Sequence, residues 1–258
     1  MGKNVDILKQ NFAHRGLHNK VDLPENSMAA ILAAAKAGHG IEIDIHTTKD
    51  GSVVVFHDGS LKRMTGKDGK TKDLTASELD EYKLMGTDEK IPTYQQVIDE
   101  LNKLEKQPTL LVEFKNWDMT DKNLDKAINP VLKASEQYKG SVAYQSFNPL
   151  LTKRVKELAP ENLSGMLYGV GVPGESEMSY VAQESIATMM MAALAANPLV
   201  KPDFVATNTI NAEKSNFRLG RIKSIAEGVP ICIGAFSMIR TMRKQKAFVK
   251  NTVWMRVV

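Results

Sequence analysis

The chain has a single cysteine, Cys232, among 258 residues. An intrachain disulfide is therefore impossible, and a zinc–thiolate cluster is excluded. Charge of one sign is also scarce in excess. Lys+Arg is 34 against Asp+Glu 30, a net +4, too small and too scattered to point to nucleic acid. Long hydrophobic runs are missing. The longest apolar stretch, 186–196, is far too short to span a bilayer. Residues 1–10 carry Lys3, Asp6 and Lys9 and no apolar segment, so no secretory signal is read there. The hydrophobic share of 43% and charged share of 25% are ordinary for a globular protein. Together these features lead us to expect a soluble, cytoplasmic chain, with oligomeric state undetermined.

Short apolar runs at 11–16, 41–46, 109–115, 142–147, 163–169, 204–208, 231–236 and 252–258 read as strands. Helix-period segments at 27–38, 93–105, 122–138, 149–158, 217–228 and 238–250 separate most of them, the first closing on Gly38. Eight strands alternating with helices predict a single-domain α/β fold over 1–258, a (β/α)8 TIM-type barrel. Two insertions interrupt it. Asp50-Gly51 between strand-like runs predicts a small hairpin after the second strand. The Met-rich stretch 170–203 predicts a helical insert packed outside the barrel, with a substrate lid or membrane-touching helix as the alternative.

Strand alternation sorts the polar residues. In Ile41-Glu42-Ile43-Asp44-Ile45-His46 the isoleucines share one face and Glu42, Asp44 and His46 the other. Glu113 and Lys115 share a face of the third strand. Three inward carboxylates suit a hard, oxygen-preferring divalent cation, calcium or magnesium. A salt-bridge network of Glu42, Asp44, Glu113 and Lys115 is the alternative. A hairpin turn centred on 49–51 pairs residues whose numbers sum to about 100. It therefore delivers His57 opposite residue 43, beside the carboxylates. His57 and His14, at the end of the first strand, are general acid–base candidates. Arg15 offers a forked donor suited to phosphate, and Gly16 permits a sharp exit from the strand. Asp58 either orients the His57 ring or simply ends the strand. In Pro24-Glu25-Asn26-Ser27, a helix cap accounts for Asn26 and Ser27 but leaves Glu25 unexplained. His18 and His46 are weaker contact candidates, and His39 reads as a loop residue.

His14-Arg15-Gly16, Pro24-Glu25-Asn26, Glu42-Ile43-Asp44, Asp50-Gly51, Phe56-His57-Asp58 and Glu113-Phe114-Lys115 occur in the order and rough spacing of the glycerophosphodiester phosphodiesterase family. The sequence resembles that family over 11–116. Gln145-Ser146-Phe147 fits a fifth motif region loosely. Gly234-Ala235-Phe236 stands where the family commonly has Trp-Thr. The resemblance implies a phospholipase-C-like barrel. It implies Glu42, Asp44 and Glu113 as ligands of one divalent cation, His14 and His57 as the acid–base pair, and Arg15 and Lys115 as phosphate contacts. The implied reaction is hydrolysis of a small-molecule glycerophosphodiester to sn-glycerol 3-phosphate and an alcohol. A phosphodiesterase acting on lysophospholipids or sphingolipids, and a barrel that binds phosphodiesters without turnover, are the rival readings.

Overall fold

A computed structural model describes residues 10–19, 21–115, 124–168, 198–208, 231–234 and 252–255. Its strands are β1 (Phe12–His14), β2 (Gly40–Thr47), β3 (Val53–Val55), β4 (Leu110–Phe114), β5 (Val142–Ser146), β6 (Ser164–Tyr168), β7 (Phe204–Asn208), β8 (Ile231–Gly234) and β9 (Thr252–Met255). All but β3 run parallel, in the order β1-β2-β4-β5-β6-β7-β8-β9. With β3 set aside as the hairpin strand, this is the sequential parallel sheet of a (β/α)8 barrel. Most of the insert expected near 170–203, and the helices expected at 217–228 and 238–250, lie outside the described residues.

The helices form where caps and apolar spacing agree. In α1 (Met28–Lys36) the Ser27 side chain accepts from the Ala30 N–H. The Thr93–Gln96 capping box opens α4 (Tyr94–Asn102), which buries Tyr94, Val97, Ile98 and Leu101, one helical face. Ile128, Val131 and Ala134 of α5 (Asp125–Glu136) and Leu151 and Val155 of α6 (Pro149–Leu158) are buried likewise. These side chains pack on the outward residues of the strands: Ala13, Ile41, Ile43, Ile45, Leu110, Val112 and Tyr144. The isoleucines of β2 thus face helices, and its carboxylates face the barrel axis.

Inside the barrel the floor is apolar. Phe12, Leu111, Ala143, Leu167, Phe204 and Ala206 form one buried cluster. Gly165 makes room for it, since a Cβ there would lie 2.2 Å from the Phe204 ring. The floor fills the N-terminal end of the barrel, and two positions further along β1, β4 and β5 the polar His14, Glu113 and Gln145 stand at the C-terminal mouth.

The hairpin has the register the sequence predicts. Ile45 pairs with Val55, His46 with Val54 and Thr47 with Val53, antiparallel. Beyond β3 the chain does more than turn back. Residues 56–92 build α2 (Lys62–Thr65), a 3-10 turn at Thr71–Asp73 and α3 (Ala76–Leu79). They carry their own core of Val54, Phe56, Leu61, Met64, Leu79, Leu84 and Ile91. Segments this short show no periodicity that a sequence reading could detect.

Candidate active site

The site is assembled along one edge of β2. β1 pairs with that edge only as far as His14, opposite Glu42. β3 then takes over the same edge from Thr47 back to Ile45, and the Phe56 N–H donates to the Asp44 carbonyl. The segments ending in His14 and in His57 therefore meet beside Glu42 and Asp44. On the other edge, Asp44 is in register with Glu113 of β4, and Glu113 with Gln145 of β5. The oxygens of Glu42, Asp44 and Glu113 that could bind a cation lie within 4.8 Å of one another, and all three residues are buried.

Two cations are threaded among them. Lys115 Nζ lies 3.0 Å from Asp44 Oδ1 and also contacts Glu113 Oε1. Arg15 Nε lies 3.4 Å from Asp44 Oδ2, and the Arg15 backbone N–H donates to Glu42 Oε2 at 3.1 Å. The salt-bridge network considered as an alternative is therefore present in part, joining Lys115 to Asp44 and Glu113, but it does not balance: Lys115 and Arg15 bring two positive charges to three buried carboxylates. Burial, with Asp44 and Glu113 nearby, drives the Glu42 carboxyl well above the usual range. Burial also raises Glu113. Burial would raise Asp44 too, yet Lys115, His57, Arg15 and His14 together hold it well below its ordinary value.

Asp44 Oδ1, Glu113 Oε1 and Gln145 Oε1 are buried without a hydrogen-bond donor. The first two lie against the Lys115 ammonium as ion pairs. An all-oxygen set with excess negative charge and undonated oxygens fits a hard divalent cation. The residues present therefore suit the group the sequence suggests.

The turn after β1 is made for this purpose. Arg15 and Gly16 adopt φ of +56° and +78°. A Cβ at Gly16 would lie 2.7 Å from the backbone of Ala30, so only glycine fits against α1. For Arg15 the left-handed conformation is a strain of about 1–2 kcal/mol, held in place by its carboxylate partners. Asn26, also left-handed at φ +58°, donates from Nδ2 to Asp44 Oδ2 at 2.8 Å. Its Oδ1 accepts from the Asp44 N–H at 3.2 Å. Ser27 is the helix cap, so Asn26 is free to grip Asp44, a role beyond the cap the sequence suggests.

His14 Nε2 is 3.9 Å from Glu42 Oε2. Burial, then the Arg15 charge, lowers its pKa well below the ordinary value. His57 Nδ1 lies 2.6 Å from Asp58 Oδ1. A carboxylate accepts only, so this contact selects the N–H on Nδ1 and turns Nε2 away from Asp58. Burial would raise the Asp58 carboxyl, but His57 and Arg63 hold it down to about 2. The His46 ring reaches the His57 carbonyl at 3.1 Å, and burial lowers its pKa to about 4. His46 thus braces the segment that carries His57. His18 is exposed on the rim, and His39 contributes its backbone N–H to the Ala34 carbonyl after α1.

His14, Arg15, Glu42, Asp44, His57, Glu113 and Lys115 are therefore brought to one place at the C-terminal mouth, where barrel enzymes carry their sites. Sequence reasoning did not reach Gln145 as a neighbour of Glu42, nor Arg63. The only signal for this outer set was Glu25, a carboxylate the helix cap did not require.

Known proteins resemble this chain in sequence and in fold. The Glycerophosphoryl diester phosphodiesterase family model matches residues 14–214. A glycerophosphodiester phosphodiesterase of Caldanaerobacter subterraneus is 32% identical over 171 residues, covering 62% of this chain and 67% of the relative. Matches to relatives from Bacillus altitudinis and human are shorter and cover 27% and 29% of those proteins. The solved glycerophosphodiester phosphodiesterase of Thermotoga maritima superposes with a TM-score of 0.64 at 24% identity, covering 95% of this chain and 94% of that one. An Oleispira antarctica phosphodiesterase, solved in complex with the product sn-glycerol-3-phosphate, superposes at 0.63 and 22% identity, covering 89% of this chain and 84% of its own. These structures share the barrel. The family match spans most of the sequence and includes every residue gathered at the mouth, and on that ground the chain belongs to the glycerophosphoryl diester phosphodiesterase family.

Proposed function

We propose that this chain, a glycerophosphodiester phosphodiesterase acting as one catalytic barrel, hydrolyses glycerophosphodiesters with one bound divalent cation and a pair of histidines. The products are sn-glycerol 3-phosphate and an alcohol such as choline or ethanolamine. Alkyl phosphodiesters resist hydrolysis because the anionic centre repels nucleophiles and the alkoxide leaves poorly. Glu42, Asp44 and Glu113 would hold the cation, calcium or magnesium. When bound, it supplies Lewis-acid stabilisation of the phosphoryl oxygens. Arg15 and Lys115 sit beside those carboxylates and offer the phosphate a fork and a point charge. One imidazole accepts the proton of the attacking hydroxyl, and the other donates to the leaving oxygen. The attacking group is the glycerol 2-hydroxyl, with a cyclic phosphate later opened by water, or water itself. The buried floor beneath the site keeps bulk water from the lower side.

The observation that carries this reading is the convergence of three buried carboxylates with His14 and His57 on one strand edge. A phosphate-binding module needs no such acid–base pair. The test is release of glycerol 3-phosphate from glycerophosphocholine with and without divalent metal. Metal-dependent release is expected. Undiminished release in excess chelator sinks the cation, and retention of full turnover in His57→Ala sinks the histidine pair.

A further inference from the structure

A helix of the excursion after β3 sends Arg63 back toward the site. Arg63, on α2, donates from Nε to Asp58 Oδ2 at 2.5 Å and from Nη2 to Asp58 Oδ1 at 3.1 Å. The same guanidinium donates to Glu25, from Nη2 to Oε1 at 2.6 Å and from Nη1 to Oε2 at 3.1 Å. Glu25 in turn accepts from Arg15 Nη1 at 3.0 Å. A continuous chain of alternating charge results: Asp44, Arg15, Glu25, Arg63, Asp58, His57. Its two ends are a carboxylate of the candidate cation cluster and the ring of a candidate acid–base histidine.

Arg63 is the only member of that chain contributed by the excursion's helices. Its helix is anchored by Met64 and Leu61, both buried in the excursion's own core. Both carboxylates are gripped in a forked arrangement, which fixes orientation as well as charge. A lysine could not hold both in this way. Burial works against the guanidinium charge here, but Glu25 and Asp58 more than offset it and raise its pKa. The cation is therefore permanent at any working pH.

We propose that Arg63 is a positioning residue for the phosphodiesterase reaction. It fixes Asp58 as the acceptor for the His57 Nδ1–H, so that Nε2 is the reacting nitrogen. Through Glu25 it also holds the Arg15 fork. The excursion is thereby part of the catalytic apparatus, and its docking onto the barrel sets the geometry of both groups. This inference rests on the acid–base reading of His57.

The test compares Arg63→Ala, Arg63→Lys and Asp58→Asn with the control Lys62→Ala, whose side chain pairs with exposed Asp68. Two measurements are made on the full chain: steady-state kinetics with glycerophosphocholine, and 15N NMR of the histidine rings. Loss of an orienting partner of this kind costs about 10–100-fold in activity. Arg63→Ala should lose that much in kcat/KM, with the His57 Nδ1–H signal broadened or shifted as in Asp58→Asn. Arg63→Lys should recover part of both. Lys62→Ala should match the wild type. The Arg63→Ala/Asp58→Asn double variant should be little worse than Arg63→Ala alone, because Asp58 acts through the ring that Arg63 already controls.

An unaltered His57 signal in Arg63→Ala overturns the proposal. So do fully multiplicative losses in the double variant. Should Arg63→Ala fail to fold, Arg63→Lys decides by the same ring signal. The ring signal reports the contact whatever the chemistry. Full turnover in His57→Ala beside a perturbed ring in Arg63→Ala would therefore identify the histidine roles as the error, not the clamp.

Discussion

The two ends of the barrel interior use the same strands for opposite purposes. At the floor, Phe12, Leu111, Ala143 and Phe204 are packed ring against glycine and leucine against alanine. Two residues further along the same faces stand His14, Glu113 and Gln145, with Glu42 and Asp44 beside them. The floor gains stability from burying apolar surface. The mouth gathers three carboxylates under two cations, and its Glu42 carboxyl is forced upward in pKa by burial and like charge. Stability is made at one end, and part of it is given up at the other. Arg15 and Asn26, both at positive φ, belong to the second.

Perturbations should therefore separate by layer. The largest effect belongs to the mouth: excess chelator should abolish turnover while far-UV circular dichroism stays native. Activity that survives chelation would break the assignment of the carboxylates to a cation. Calorimetric titration sharpens this. Glu113→Gln should weaken binding of calcium or magnesium, whereas His57→Ala should leave it nearly intact, because imidazole is not a preferred ligand of either ion.

Next come the histidines. His14→Ala and His57→Ala should each cost on the order of 10²–10⁴ in rate with little change in melting temperature. The double variant should be scarcely worse than the poorer single. A kcat/KM profile that is not bell-shaped in pH would count against the pairing.

The floor should respond in the opposite sense. Phe204→Ala should cost about 3–5 kcal/mol of stability, read by urea denaturation, with metal affinity in the folded fraction preserved. A large loss of affinity without loss of stability would erase the distinction between the layers.

A smaller effect tests the strain at the mouth directly. Glu42 binds its proton more tightly folded than unfolded, because burial, Asp44 and Glu113 raise its pKa. Its ionisation therefore costs stability as pH rises above the unfolded carboxyl value of about 4.3. Glu42→Gln should raise the melting temperature of the cation-free protein at neutral pH by a few degrees. A fall would show that Glu42 is stabilising as a carboxylate.

The smallest effect concerns Asp58, whose sign is reversed. Its carboxyl is held down to about 2, below the unfolded value of about 3.9. Its contribution is present above that unfolded value and is lost as pH falls toward the folded one. The stability gap between wild type and Asp58→Asn in urea titrations should close over that acidic window. A gap independent of pH would remove the ion pair as its cause.

Much of this was legible in the residues because it depends on local periodicity. Alternation along Ile41–His46 separates helix-facing isoleucines from axis-facing carboxylates whatever surrounds the strand. Asp50-Gly51 sets a turn, the turn sets a register, and the observed pairs at 45–55, 46–54 and 47–53 follow from it. The mouth position of His14, Glu42, Asp44, His57 and Glu113 could be inferred from these two patterns and the strand order.

What could not be read there depends on contacts between distant segments. Asn26 fits a helix start as well as it fits a grip on Asp44. Ser27 takes the cap, and only the approach of the turn after β1 to β2 reveals the second use. Arg63 lies in a four-residue helix without periodicity, and its value comes from two carboxylates carried by other parts of the chain. By itself the sequence determined the faces, the hairpin register and the chemical kinds of residue at the mouth, because side-chain period and turn chemistry act over a few residues. Only the tertiary structure decided which charges meet, since ion pairing over an |i−j| of 38, as between Arg63 and Glu25, is fixed by how the excursion docks on the barrel.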